Sequence, residues 1–278
     1  MKIHAIQTGM VQVKKNQVVG KGSGIGRLLN MVFGREWVTP PVPIYAWVVE
    51  HAEGVIVVDT GETTRTSESG YFPRWHPYYN FAVRFHVRPE DEIGVQLKKM
   101  GIGTKDVKKV ILTHLHTDHA GGLHDFPDSV IHVNMPEYKR TRGFQGQIDG
   151  YLSQRYPKWF SPQPIEFDGG AFGSFDKSWS VTTKGDVRVV PTYGHTPAHV
   201  SVVVRMEDAH YFLAGDTSYS EQNLLDKIAD GVSPDPNQAI HTMQNILNFA
   251  SQYPTVYLPT HDPNSEKRLK NKTTLSID

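Results

Sequence analysis

Four side chains able to bind a metal fall within six residues, in the segment Thr113-His-Leu-His-Thr-Asp-His-Ala-Gly-Gly122. His114 and His116 are two apart, so in extended chain both imidazoles fall on one side. Asp118 and His119 follow, where the chain must turn ahead of Gly121-Gly122. One turn can therefore aim two pairs of ligands at two adjacent points. Imidazole nitrogens and carboxylate oxygens suit divalent ions such as zinc. The 278 residues include 14 histidines and no cysteine. A bound metal must then be held by His and carboxylates. A disulfide framework, a thiolate nucleophile and an iron–sulfur cluster are all excluded.

Such side chains need a rigid frame. Residues 109–112 read as a buried strand just before the His-rich turn, which puts that turn at a strand's C-terminal end. Residues 44–49 and 55–58 read as a hairpin across Glu53-Gly54. Further strands are expected at 110–112, 130–133, 187–190, 200–204, 211–213 and 256–258. Many are apolar at consecutive positions, which predicts burial on both faces. Residues 89–100 predict a helix with acids at its start, Lys98 and Lys99 at its end and Gly101 beyond. A second helix is expected over 236–252, capped by Asp235, with Ile240, Met243, Ile246, Leu247 and Ala250 as its apolar stripe. This order predicts a β-sandwich core with helices outside, in one domain spanning 1–278.

Two stretches read as insertions beside a substrate site. Residues 23–43 are Gly-rich, then apolar, then Pro-rich; residues 70–87 are rich in aromatics. Leu28, Phe33 and Trp37 are the expected pocket residues. The glycines of 20–26 lack the Lys-Ser/Thr pair of a phosphate loop and read as a flexible loop. Lys plus Arg is 29 and Asp plus Glu is 29. That neutral balance argues against a nucleic-acid partner. With no apolar run long enough to span a bilayer and no signal-peptide core, the expectation is a soluble, cytoplasmic chain that does not bind membranes, monomeric or homodimeric.

The segment HLHTDHAGG resembles the HxHxDH signature of the metallo-β-lactamase fold hydrolases. Val57-Val58-Asp59-Thr60-Gly61 is similar to that family's early Asp-Thr-Gly motif. Tyr193-Gly-His-Thr-Pro-Ala-His199 is similar to its second His loop, with Tyr193 and Ala198 in place of the usual Pro and Gly. Ala214-Gly215-Asp216 and Pro259-Thr260-His261 complete the series. The resemblance implies an α/β (α+β) fold, a four-layer αββα sandwich of two mixed sheets flanked by helices. It also implies two divalent ions, zinc foremost, with manganese, cobalt or iron as alternatives. His114, His116 and His195 would hold one ion, and Asp118, His119 and His261 the other, with Asp216 bridging. Asp59 and His199 would support these ligands from behind.

Such a pair of metals would activate water and polarise a scissile carbonyl, so the implied reaction is hydrolysis without a covalent enzyme intermediate. Tyr219, three residues after Asp216, resembles a tyrosine of the N-acyl-homoserine lactonase (quorum-quenching) branch, where it donates to the ester carbonyl. Asp118 could also pass a proton to the leaving alkoxide. The resemblance thus implies a lactonase for a small lactone or ester. Ester, thioester (glyoxalase II-like) and phosphotriester hydrolysis remain alternatives, as does a metal-free scaffold.

Overall fold

Strands that are apolar at every position need cover on both faces, and the computed structural model provides it. It describes residues 1–277. The first sheet holds β1 (Lys2–Val13), β2 (Val42–His51), β3 (Gly54–Val58), β4 (Val83–His86), β5 (Val107–Ile111), β6 (Val130–Val133) and β7 (Gln163–Pro164), in the order β4-β1-β2-β3-β5-β6-β7. The second holds β8 (Trp179–Ser180), β9 (Val187–Pro191), β10 (Val200–Arg205), β11 (His210–Gly215) and β12 (Thr255–Pro259), in the order β12-β11-β10-β9-β8. Both sheets are mixed. Strands β3, β5, β6 and β7 run parallel, as do β11 and β12, whereas β1 with β2 and β9 with β10 are antiparallel.

Alternation along each strand builds the layers. Tyr45, Trp47 and Val49 of β2 meet Val200, Val202 and Val204 of β10 in a core between the sheets. The intervening Ala46 and Val48 face the other way, onto Ile93 and Leu97 of the helix Ile93–Lys99. On the far side, Val203 and Phe212 pack on Met243 and Ile246 of the helix Pro236–Gln252. Each fully buried Val, Leu or Ile contributes about 1.5–3 kcal/mol, so both helices are held mainly by these contacts. The result is the helix–sheet–sheet–helix sandwich that the motifs imply. No described helix is long and apolar enough to cross a membrane.

Several local expectations are corrected. The helix expected over 89–100 is a 3-10 turn, Pro89–Asp91, followed by Ile93–Lys99. Glu92 between them is extended, because its carboxylate accepts from the amide and hydroxyl of Thr64, at 3.0 and 2.6 Å. The 236–252 helix forms with Asp235 accepting from the amides of Asn237 and Gln238. Ile240, however, is 38% exposed, and Ala239 is buried in its place. Gly194 presses its backbone on Ala239, where a side chain would not fit; this contact rotates the stripe and seats the helix against the loop of His195. The glycines of 20–26 do not form a loop throughout, since Gly24 opens the helix Gly24–Phe33. Strand β1 is absent from the sequence reading. Its register on β2 shifts between Gln7 and Met10, with Gly9 at φ 131°, so no period of two runs through it.

The turn after β3 carries a buried carboxyl. Oε1 of Glu62 accepts from the Thr63 amide at 2.9 Å and lies 3.4 Å from the Tyr71 hydroxyl, while Oε2 has no partner among the described residues. Burial pushes its pKa up to about 8. A carboxyl whose folded pKa is raised stabilises fully below its unfolded pKa and loses that contribution as pH rises through the folded one. Glu62→Gln should therefore gain stability relative to the parent as pH rises from about 4.5 to about 8, by up to about 1.4 kcal/mol per pH unit, and the gain should level off above that. Denaturant unfolding of both proteins across that range checks this. A difference that stays constant with pH would mean that Glu62 is ionised in the fold.

Candidate metal centre

Five strands end at one rim. Asp59 follows β3, the His-rich segment follows β5, His195 lies beyond β9, Asp216 follows β11 and His261 lies just beyond β12. Asp59 sits at φ 60°, a left-handed conformation that a short polar side chain tolerates. Its carboxylate accepts from the Thr113 amide at 2.8 Å, the Thr113 hydroxyl at 2.9 Å and His119 Nδ1 at 2.8 Å. Gly215, at φ 56°, lets β11 turn into Asp216; a Cβ there would lie 2.6 Å from His199 Nε2. The Asp216 amide donates to that same nitrogen at 3.1 Å, and His199 Nδ1 donates to the Thr192 hydroxyl at 2.9 Å. Burial holds His199 down to about 3, so it stays a neutral acceptor. Asp59 and His199 thus stand behind the cluster.

The outer nitrogens of two further imidazoles are committed in the same way. His195 Nδ1 donates to Asp230 at 3.1 Å, and His261 Nδ1 donates to the Pro43 carbonyl at 2.8 Å. Each inward nitrogen is then left with a lone pair. His114 Nε2 lies 3.0 Å from His116 Nδ1, which lies 3.2 Å from His195 Nε2. Asp216 reaches both halves of the cluster. One oxygen is 3.2 Å from His119 Nε2; the other is 3.5 Å from His195 Nε2 and 3.3 Å from His261 Nε2. Asp118 lies 3.5 Å from His261 Nε2. Three groups of donor atoms converge within 4.8 Å: His114, His116 and His195; Asp118, His119 and His261; and His114, His119 and Asp216.

The electrostatics suit cations. Burial, with His195 and His119 nearby, holds His116 down to about 3, and His114 is also well below its usual value. Burial opposes the charged form of His119 too, yet Asp216 and Asp59 keep its pKa well above normal. Asp216 is held well below the carboxylate range by His261, His119 and His195 in spite of its burial. Yet His119 Nε2 and Asp216 Oδ1 are buried with no hydrogen-bond partner among the described residues. Lone pairs and carboxylate oxygens facing each other in this way fit two divalent ions, with the outer hydrogen bonds orienting the ligands.

Two of these orienting acids escaped the sequence reading. Asp230 lies far along the chain from His195 and belongs to no motif. Glu137 is fully buried and accepts from the Leu115 amide, the Tyr151 hydroxyl at 2.7 Å and the Thr196 hydroxyl at 2.8 Å, tying the two His loops together. Nothing local in its segment marks the acid.

A cavity of about 600 Å³ opens on the cluster, with His116, Asp118, His195 and Asp216 at its floor. Tyr219 lines it as well. Its buried ring stacks on His261, with centroids 5.3 Å apart and planes at 20°. The helix Gly24–Phe33 supplies one wall through Leu28, Met31 and Val32, and the aromatic segment supplies another through Tyr78 and Tyr79. Two expected pocket residues lie elsewhere. Phe33 is 59% exposed and packs on Phe81, because the helix turns it away from the cavity face. Trp37 bridges to Lys14, just beyond β1, and its ring is held between the Lys14 and Arg84 side chains.

The Asp216 carboxylate touches both halves, so Asp216→Asn should cost bound metal as well as activity. Elemental analysis of the purified, folded variant checks this; full metal stoichiometry with full turnover would rule out a bridging role.

Residues 39–261 match the family model of the metallo-beta-lactamase superfamily. The N-acyl homoserine lactonase AttM of Agrobacterium fabrum is 25% identical over 280 residues, covering 97% of this chain and 96% of the relative. The N-acyl homoserine lactonase AiiA of Bacillus thuringiensis subsp. kurstaki is 26% identical over 250 residues, covering 87% and 86%. An N-acyl homoserine lactone hydrolase solved with the product N-hexanoyl-L-homoserine at its catalytic metal centre superposes with a TM-score of 0.74 at 22% identity, over 96% of this chain and 95% of that one. AidC, a dizinc quorum-quenching lactonase, superposes with a TM-score of 0.64 at 14% identity, over 94% and 87%. Together with the donor set these relatives support divalent metal binding. Two mixed sheets, donors gathered at the strand ends and a family model covering most of the chain lead to one conclusion: this protein belongs to the metallo-beta-lactamase superfamily.

Proposed function

We propose that this protein is a dinuclear metal-dependent hydrolase that opens the ester ring of lactones, N-acyl-homoserine lactones foremost. The observation that carries this reading is a largely apolar cavity with Tyr219 beside a floor of metal-binding donors. The lactonase relatives support it over nearly the whole chain. In this reading His114, His116 and His195 would hold one ion and Asp118, His119 and His261 the other, with Asp216 within reach of both; zinc is the ion we favour. When bound, such ions lower the pKa of water and polarise an ester carbonyl.

The chain's own residues supply the rest. Water adds its oxygen to the lactone carbonyl carbon and the ring C–O bond breaks. Asp118, on the cavity floor, passes the proton from that water to the departing alkoxide oxygen. Tyr219 donates its O–H to the carbonyl oxygen as negative charge builds there; burial raises its pKa well above the usual phenol value, which keeps that proton in place. A glutathione thioester fits less well. Arg268 in the basic tail is buried and bonded to Asp262 at 2.7 Å and to the Tyr257 carbonyl at 2.9 Å, and Lys272 pairs with Asp208. Those cations are already taken.

Purified protein loaded with zinc should hydrolyse an N-acyl-homoserine lactone faster than an aryl ester, a glutathione thioester or a phosphotriester. A preference for the thioester or the phosphotriester would overturn the reading. Tyr219→Phe should lower kcat on lactones by roughly a hundredfold with metal content unchanged; an unaltered kcat would make Tyr219 a packing residue. Leu28→Ala should raise KM for long acyl chains more than for short ones, whereas Phe33→Ala and Trp37→Ala should not discriminate. Equal losses on both chain lengths for Leu28→Ala would remove that wall from the acyl site.

A further inference from the structure

The cavity holds a second phenol for which the reaction above has no use. Tyr78, in the helix Pro77–Phe81, lines the same space as Tyr219. Between them lies Gln17, from the helix Lys15–Val18, buried at 3% exposure and also on the cavity wall. Its Nε2 donates to the Tyr219 hydroxyl at 2.7 Å and to the Tyr78 hydroxyl at 3.0 Å. A side-chain amide nitrogen carries two N–H bonds, so both are spent on phenol oxygens. Neither phenol then has an acceptor for its own O–H among the described residues. Oε1 of Gln17 is itself buried without a partner. The wall thus carries two unfilled phenol donors and one unfilled carbonyl acceptor. Buried polar groups left in this state ordinarily have a partner still to come.

A secondary amide offers the complement, a C=O for a phenol and an N–H for a carbonyl oxygen. We infer that Tyr78 and Gln17 form a subsite for the side-chain amide of an N-acylated lactone: Tyr78 donates to the amide carbonyl, and Gln17 Oε1 accepts from the amide N–H. Gln17 has a second role as a positioning residue. By occupying a lone pair on each phenol it directs both O–H bonds into the cavity, so Tyr219 is poised for the ring carbonyl. Burial keeps Tyr78 protonated far above neutral pH, as this role requires. The inference rests on the lactonase reading and narrows it to lactones that carry an amide.

The test compares an N-acyl-homoserine lactone with a γ-alkyl lactone of equal chain length that lacks the amide. In the zinc-loaded enzyme, Tyr78→Phe should lower kcat/KM for the N-acyl lactone about tenfold, mainly through KM, and leave the alkyl lactone unchanged; a site built around a hydrogen bond discriminates in this way. Gln17→Glu should slow both substrates, because its carboxylate accepts the phenol protons and withdraws them from the cavity. Zinc content and unfolding midpoint should match the parent in Tyr78→Phe. Equal effects of Tyr78→Phe on the two lactones, or none, would overturn the inference while leaving the lactonase reading intact. Parent-like kcat in Gln17→Glu would do the same, since the phenols would then already donate to residue 17. If the parent enzyme opens neither lactone, the lactonase reading fails and the inference falls with it.

Discussion

One carboxylate joins the frame to the chemistry. Asp59 ends β3 in a left-handed turn and receives the Thr113 amide, the Thr113 hydroxyl and His119 Nδ1. The first two bonds set the level at which the His-rich segment leaves β5. The third turns the His119 ring so that its other nitrogen points inward. Because β3 and β5 are parallel neighbours, their ends lie side by side, and a single short side chain can reach across. The same group also contributes negative charge beneath a cluster expected to carry cations.

The rest of the centre repeats this arrangement with other partners. Asp230 holds His195, the Pro43 carbonyl holds His261, and His199 holds the backbone of Asp216. His119, His195 and His261 are therefore each preset by an outward hydrogen bond, and these rings need little reorganisation to bind an ion. Setting so many polar groups together away from water is costly in itself. That cost is offset by apolar burial on both faces of each sheet and by the seating of the Pro236–Gln252 helix against the second His loop. Glu137 adds a brace between the two loops that no single sheet could supply.

The cavity wall follows a different logic. It is built from segments outside the main sandwich, the Gly24–Phe33 helix and the aromatic stretch around Pro77–Phe81. The floor of donor atoms is made of strand ends held within the sheets, whereas the wall is made of segments that lie outside them. The donor cluster and the cavity wall thus come from separate parts of the molecule, and the wall meets the residues beyond β11 where Gln17 bonds to Tyr219.

The side chains that converge as candidate donors are legible in the amino-acid order. His114, His116, Asp118 and His119 are close in the chain, and local geometry alone brings them together. His195, Asp216 and His261 follow recognisable strand-end motifs, and consecutive apolar positions marked strands such as 44–49 and 200–204 as buried on both faces. Local pattern failed where distant contacts overrode it. The bulge in β1 hid a central strand, Thr64 broke the 89–100 helix at Glu92, and Gly194 turned the last long helix so that Ala239 replaced Ile240. Which side of the Gly24–Phe33 helix faces the cavity depends on long-range packing, which leaves Leu28 on the wall and Phe33 outside it. The tertiary structure alone found Asp230, Glu137 and Gln17. Their roles come from partners far away in the chain, such as Gln17 and Tyr219, and a buried hydrogen bond between such residues leaves no period or spacing in the sequence to read.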